Sequence, residues 1–267
     1  MYLTFIRPSL EYASIVWDNC TANESNNIEE VQLAALRAIT GTKRGTNHQN
    51  LYMETGIEHL STRRTRQKLI LMYKIQNNLA PESLTELLPN NTNDRTHYNL
   101  RNAIDTSIPK TKTTAFHRSF YPATIKAWNA LSRQTRESRT IHQFKDSITT
   151  PTINPPRYFF RSRDRKAEIT HTRIRVKCSN LLEDLYDRQL SDTPMCDCGA
   201  EIEDAEHFFY RCNKYNHLRE HIHDVTNKDI FELDIEELTY GNPNKSDEAN
   251  AETFEIVQLY ITLTGRF

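Results

Sequence analysis

Glycine is scarce in this chain: 267 residues include 6. So few disfavour Gly-rich phosphate loops and barrels built on tight turns, and they favour helices. Long apolar runs are missing as well. No stretch approaches the roughly 20 consecutive apolar residues that a membrane span requires. The N-terminus lacks a basic segment followed by an apolar core, so no signal peptide is expected. An intracellular protein, nuclear or cytoplasmic, is the expectation. The 5 cysteines are an odd number, and without a secretory signal they do not suggest a disulfide framework. No Asp-Asp pair occurs anywhere in the sequence.

What is present is unevenly spread. The formal net charge is −1, yet residues 101–178 carry 17 basic and 5 acidic side chains, and residues 179–267 carry 7 and 20. Such polarity suits either a polyanionic partner for the middle segment or docking of that segment onto the chain's own acidic tail. The basic residues concentrate at Arg161, Arg163, Arg165, Lys166, Arg173, Arg175 and Lys177. They can neutralise phosphates, in which case binding depends on salt through counterion release. They can equally cover a solvated surface. Tyr158, Phe159 and Phe160 adjoin the run and suit either base stacking or a core.

The pattern predicts a mainly α chain. The apolar opening Tyr2–Trp17 begins without a polar lead-in and reads as part of a longer polypeptide. A helix is expected from Asn27 as cap to Gly41 as stop, burying Ile28, Val31, Ala35, Ala38 and Ile39. Others are expected near Ser61–Asn78, after Ser119, over Thr140–Ile148, over Ile174–Leu190, and from Tyr215 to His223. Leu84, Leu87 and Leu88 suggest a short helix, and residues 89–114 read as loop. Phe254, Val257, Ile261 and Leu263 suit packing of the tail onto the second domain. Three prolines within 151–156 mark a linker between a domain at 1–150 and a second at 157–267.

The densest chemistry lies at Cys196, Cys198, His207 and Cys212, spaced C-x-C-x8-H-x4-C. Three thiolates and an imidazole form a complete tetrahedral set for zinc, with no position left for a substrate, so the site reads as a structural clip. A turn at Gly199 presents the first two sulfurs, and a short helix from Glu203 to Arg211 carries His207. Phe208, Phe209 and Tyr210 supply a small core. The C-x-C start is tighter than the usual C-x2–4-C, and a chance cysteine pair beside a core histidine is the competing account. His217, His221 and His223 are alternative ligands on a helix face that otherwise reads as solvated. Cys20 and Cys178 read as inert thiols.

Together these segments resemble the C-terminal region of non-LTR (LINE-type, jockey/CR1-like) retrotransposon reverse transcriptases. The opening Tyr2–Asp18 is similar to the start of that family's thumb segment, and Ile28–Ile39 is similar to its "iE-vQ-aa-R-i" run. Leu60–Arg64, Asn78–Pro81, Tyr98–Arg101 and Ser119–Asn129 follow in the family's order. The C-x-C-G…H…C element resembles its terminal zinc-knuckle-like motif, and Leu238–Pro243 and the closing Gly265–Phe267 resemble the ends of several such elements.

The resemblance implies a helical thumb/linker-like domain over 1–150. A Pro-rich linker at 151–156 follows, then a small zinc-clipped helical domain over 157–267 with at most a short hairpin. It implies one structural Zn²⁺, RNA or DNA as partner, no membrane, and polymerase domains upstream on the same polyprotein. Nucleotidyl transfer needs clustered carboxylates that hold Mg²⁺. Without a paired-Asp motif, catalysis is not expected of this chain itself. Three alternatives stay open: part of an active RNA-directed DNA polymerase whose palm lies upstream, a protein-interaction module, or a decayed element.

Overall fold

A computed structural model describes residues 1–90, 105–149, 155–160 and 164–267, without the side chains of Arg157 and Phe160. The chain is mainly helical, and no β-strand forms among the described residues. None of the described helices is long and apolar enough to cross a membrane. The principal helices are α1 (Ala22–Thr40), α2 (His48–Thr55), α3 (Leu60–Gln76), α4 (Phe120–Asn129), α5 (Ile141–Ile148), α6 (Arg165–Arg175), α7 (Leu182–Asp187), α8 (Asn216–Thr226), α9 (Ile235–Tyr240) and α10 (Asp247–Thr264).

Two compact units are formed, one by Met1–Gln32 with Glu58–Thr152, the other by Leu33–Ile57 with Ile153–Phe267. Residues 33–57 thus group with the second unit and not with the rest of 1–150. Residues 151–154 of the proline-rich stretch lie outside the described residues, as do 91–104 of the expected loop.

The first unit is built on α3. Leu69, Met72 and Tyr73 of α3 meet Ile125 and Trp128 of α4 and Phe144 of α5 in one core. Tyr73 and Phe144 stack with ring centroids 4.6 Å apart, and the Tyr73 hydroxyl donates to the Ser138 carbonyl at 2.8 Å. Thr140 starts α5 as expected, its side chain accepting from the Gln143 N–H. The cations of α3's first half are spoken for: Arg63 pairs with Glu11, Arg66 with Glu58, and Arg64 and Lys68 share Asp18 at 2.8 and 2.7 Å.

Helix α1 departs from its expected start and face. It begins five residues before Asn27, at a reciprocal cap in which the Thr21 N–H donates to the Glu24 carboxylate and the Glu24 N–H to the Thr21 hydroxyl. Val31, Ala38 and Ile39 are exposed, while Gln32, Leu33, Leu36 and Thr40 are buried. The buried stripe contains polar groups that find partners. The Gln32 amide donates to the Glu29 carboxylate and to the Glu58 carbonyl, both at 2.9 Å, and its carbonyl accepts from the Tyr2 hydroxyl. A purely apolar pattern therefore picks the wrong register.

In the second unit, Leu33 and Leu36 pack against Leu51 and Tyr52 of α2. The helix expected over 174–190 is two helices instead. Asp164 caps α6, accepting from the Lys166 and Ala167 N–H groups. After Arg175 the chain turns at Lys177, with φ +53°. The Asp184 carboxylate then takes the Ser179 N–H and hydroxyl, fixing the break before α7. The tail helix α10 runs through the main core, with Ile256, Val257, Tyr260 and Ile261 meeting Phe208, Phe209, Ile222 and Leu238. Phe254 instead packs on Tyr158 and Phe159. Leu263 stays exposed.

Candidate metal centre

The ligand-bearing segment is shaped by three local devices. The Cys196 N–H donates to the Ala200 carbonyl at 3.0 Å, and the Glu203 N–H donates to the Pro194 carbonyl at 2.8 Å. These bonds make a hairpin-like turn too short to count as strands. Gly199 sits at its tip with φ +95°, a conformation that glycine adopts at little cost. The third device is a π-turn over His207–Arg211, closed by the Cys212 N–H donating to the His207 carbonyl at 2.8 Å.

That π-turn explains how H-x4-C becomes a ligand pair. On a regular α-helix a residue five positions on is rotated by about 140°, which would turn Cys212 away from His207. The wider turn removes most of that offset, and such turns recur at functional sites. Asp204 fixes the entry by accepting the His207 N–H.

Cys196, Cys198, His207 and Cys212 converge: one donor atom from each lies within 4.8 Å of all the others. The Cys196 and Cys212 sulfurs are 3.9 Å apart, and the Cys198 sulfur is 3.3 Å from His207 Nε2. A tetrahedral ion with metal–sulfur bonds of about 2.3 Å and metal–nitrogen bonds of about 2.0 Å separates its ligands by roughly 3.5–3.8 Å. The donor set and its spacing therefore fit a single ion. Cys196, His207 and Cys212 are buried, and Cys198 borders a shallow surface cleft with His207.

Burial pushes the Cys196 thiol up to about 12, and burial also raises Cys212. Hydrogen bonding from the Ala200 backbone holds Cys198 below the usual thiol range. Burial lowers His207, which keeps its imidazole neutral and ready to ligate. An ion bound here displaces thiol protons, as thiolate sites require.

Around the ligands the packing is dense. Phe208 and Phe209 are fully buried, and the Phe208 ring contacts Tyr215, Tyr260 and Phe267. Tyr210 is part-buried, its hydroxyl bonded to the Leu233 carbonyl. Arg219 donates to the carbonyls of Cys212 and Phe209 at 2.7 and 3.3 Å. The buried Glu203 lies 3.9 Å from the Cys196 sulfur, accepts the Leu182 N–H, and takes a two-pronged pair from Arg266 at 2.8 and 2.6 Å. Neither Glu203, expected only as the start of a short helix, nor Arg266 is marked by the ligand spacing, so the sequence alone places neither beside the cluster. His217, His221 and His223 are exposed on α8 and stand outside the cluster. Cys20 and the fully buried Cys178 also stand outside it.

The basic run divides by role. Arg161 and Arg163 lie outside the described residues. Arg175 does not serve as a phosphate contact in this fold. Its guanidinium is buried, paired with Glu54 at 2.9 and 2.6 Å, bonded to the Thr239 carbonyl, and set 3.9 Å over the Phe159 ring. A group so enclosed cannot reach a phosphate without unfolding its surroundings. Arg165 pairs with Glu168, Lys166 donates to the Phe267 carbonyl at 3.2 Å, and Arg173 donates to the Gly41 carbonyl at 2.8 Å. Lys177 is exposed.

Among the described residues, no Asp or Glu of residues 224–267 forms an ion pair with a cation of the run, and Lys166 meets the main-chain oxygen of Phe267. Tyr158 and Phe159 are core residues, packed with Ala251 and Phe254. No protein-family model matches the chain, and no curated protein or solved structure matches it.

Proposed function

We propose that this chain is a zinc-stabilised nucleic-acid-binding region without catalysis of its own, from the C-terminal part of a non-LTR retrotransposon reverse transcriptase. The convergence of three cysteine sulfurs and one imidazole within 4.8 Å carries the proposal. Among common ions, zinc suits three soft thiolates with a neutral imidazole best, and four protein donors leave no position for a substrate. The metal's contribution is then folding free energy: it ties the hairpin-like turn to the π-turn. Nucleic acid is the proposed partner because Lys166, Arg173 and Lys177 of the basic segment form no ion pair with an Asp or Glu among the described residues. The sequence supplies no paired aspartates for nucleotidyl transfer, so any polymerase activity belongs to a separate palm.

Elemental analysis of the purified chain tests the carrying step. About one zinc per chain is expected, and both Cys196→Ser and Cys212→Ser should lose it along with the near-UV signal of the packed aromatics. A chain that keeps its unfolding midpoint under a strong chelator would defeat the structural-zinc reading. Labelled single-stranded RNA and DNA should bind with an affinity that falls steeply with salt. An affinity equal at low and physiological salt removes phosphate contacts from the account.

A further inference from the structure

The basic run borders a cleft of about 350 Å³ in the second unit, lined in part by Arg165, Lys166, Arg173, Ser179 and Asn180. Two cations outside that run stand behind the cleft's lining, each bonded to a lining residue. Lys43, on the turn after α1, donates its Nζ to the Asn180 side-chain carbonyl. Arg188, just past α7, donates Nε to the Asp184 carbonyl and Nη2 to the Ser179 carbonyl, and its Nη1 is buried with no hydrogen-bond partner. Lys43, Arg173 and Arg188 form no ion pair with any described residue, and their protein partners are backbone or amide carbonyls.

Three cations with no described carboxylate within ion-pair distance are costly to hold together, because each raises the energy of the others in a partly desolvated setting. Burial first, then the nearby charges of Arg173 and Arg188, hold the Lys43 ammonium below its usual value. An anion in the cleft removes that repulsion. The planar guanidinium of Arg173 spends Nε on the Gly41 carbonyl and keeps its terminal nitrogens for a tetrahedral oxyanion.

We infer that Lys43, Arg173 and Arg188 form a phosphate cradle that grips one backbone phosphate of a nucleic-acid strand at this cleft. Arg165 and Lys166 stand at its rim and steer the strand. The inference rests on the nucleic-acid reading above and deepens it, because two of the three cradle residues lie outside the run that composition singles out. Arg175 is excluded from it.

The test uses the full zinc-loaded chain and a fluorescein-labelled single strand, in RNA and DNA forms of equal length, read by anisotropy over a salt series. Lys43→Gln and Arg173→Gln should each weaken binding about tenfold at low salt, and each should flatten the log–log salt slope by about 0.7. Arg173→Lys should restore the slope. Lys228→Gln, which removes a cation paired with Glu252, should change neither quantity.

Zinc content and circular dichroism establish that each variant is folded. Should Arg173→Gln unfold, Lys43→Gln decides alone, since its turn position carries little packing. Wild-type binding with unchanged affinity and slope for Lys43→Gln overturns the cradle and leaves the nucleic-acid reading intact. No salt-dependent binding by the wild type overturns that reading itself.

Discussion

Replacing Glu54 by alanine should destabilise the second unit severely and leave the metal ligands untouched. Both members of the Glu54–Arg175 pair are almost wholly enclosed, at 2% and 1% side-chain exposure. Removing the carboxylate strands a guanidinium that still holds the Thr239 carbonyl and the Thr172 hydroxyl but has lost its counter-charge. Breaking a buried pair in this way costs about 3–5 kcal/mol. Against a typical total stability of about 5–15 kcal/mol, that is a large share. For a domain of this size class each kcal/mol moves the midpoint by about 4 °C, so the melting temperature should fall by roughly 12–20 °C. Far-UV circular dichroism of the zinc-loaded protein reads this directly.

A second variant separates charge burial from lost packing. Glu54→Leu combined with Arg175→Met replaces the pair by apolar groups and should recover most of the loss, because isosteric apolar replacement of buried pairs is commonly neutral or stabilising. The double variant should also bind nucleic acid as the wild type does. A midpoint for Glu54→Ala within a few degrees of wild type, or a double variant no better than the single, would refute the reasoning.

Acid sensitivity should trace in part to His171, which is buried against Phe254 with its Nε2–H directed at the Leu238 carbonyl and Nδ1 without a partner. Burial first, then Arg175, lowers it from 6.5 to about 3. The unfolded chain therefore takes up a proton that the native state refuses, and stability drains as pH falls from about 6.5 to about 3, by at most ~1.4 kcal/mol per pH unit. Urea midpoints over this range should fall less steeply for His171→Gln, and parallel curves would remove the histidine from the account. Glu203→Gln should weaken the Arg266 clamp and release zinc to a competing chelator several-fold faster than wild type, whereas Glu201→Gln, exposed beside it, should not; equal release rates would show that the clamp does not support the ligands.

The helical class, the Cys/His cluster and the start of α5 at Thr140 were legible because each is a local signal. Thr140 before an amphipathic run and four ligands within one short segment need no tertiary knowledge. Two of the failures share a cause: polar side chains whose partners lie far along the chain. Gln32 sits in the buried stripe of α1 because Tyr2 and Glu58 satisfy it, so the apolar residues Val31 and Ile39 misdirect the register. Arg175 looks like its neighbours in a basic run, yet Glu54, far upstream in sequence, takes it into the core. Ser179 and Asp184 break a helix that periodicity alone would carry through. Thr21 with Glu24 was the exception, a local capping signal that stood in plain view ahead of the more conspicuous Asn27.

The same long-range partners connect the metal centre to the cationic cleft. From the Cys196 sulfur the path runs to the Glu203 carboxylate, on to the Arg266 guanidinium, which also donates to the Asn180 carbonyl at 3.0 Å, and so to Asn180, whose amide oxygen holds Lys43. Each step is a hydrogen bond or charged contact within the second unit. The Phe267 ring on Phe208 and the Lys166 bond to the Phe267 carbonyl run beside it. A cluster of like charges holds its geometry only if its backbone supports are rigid, and those supports here are the segment at 179–180 and the closing residues 266–267. Both are tied to Glu203, and Glu203 is positioned by the turn that presents Cys196. The Cys/His cluster thus sits at one end of a scaffold whose other end supports Lys43, Arg173 and Arg188, so removal of an ion bound there should reach the cleft by loosening its supports without removing any charge from it.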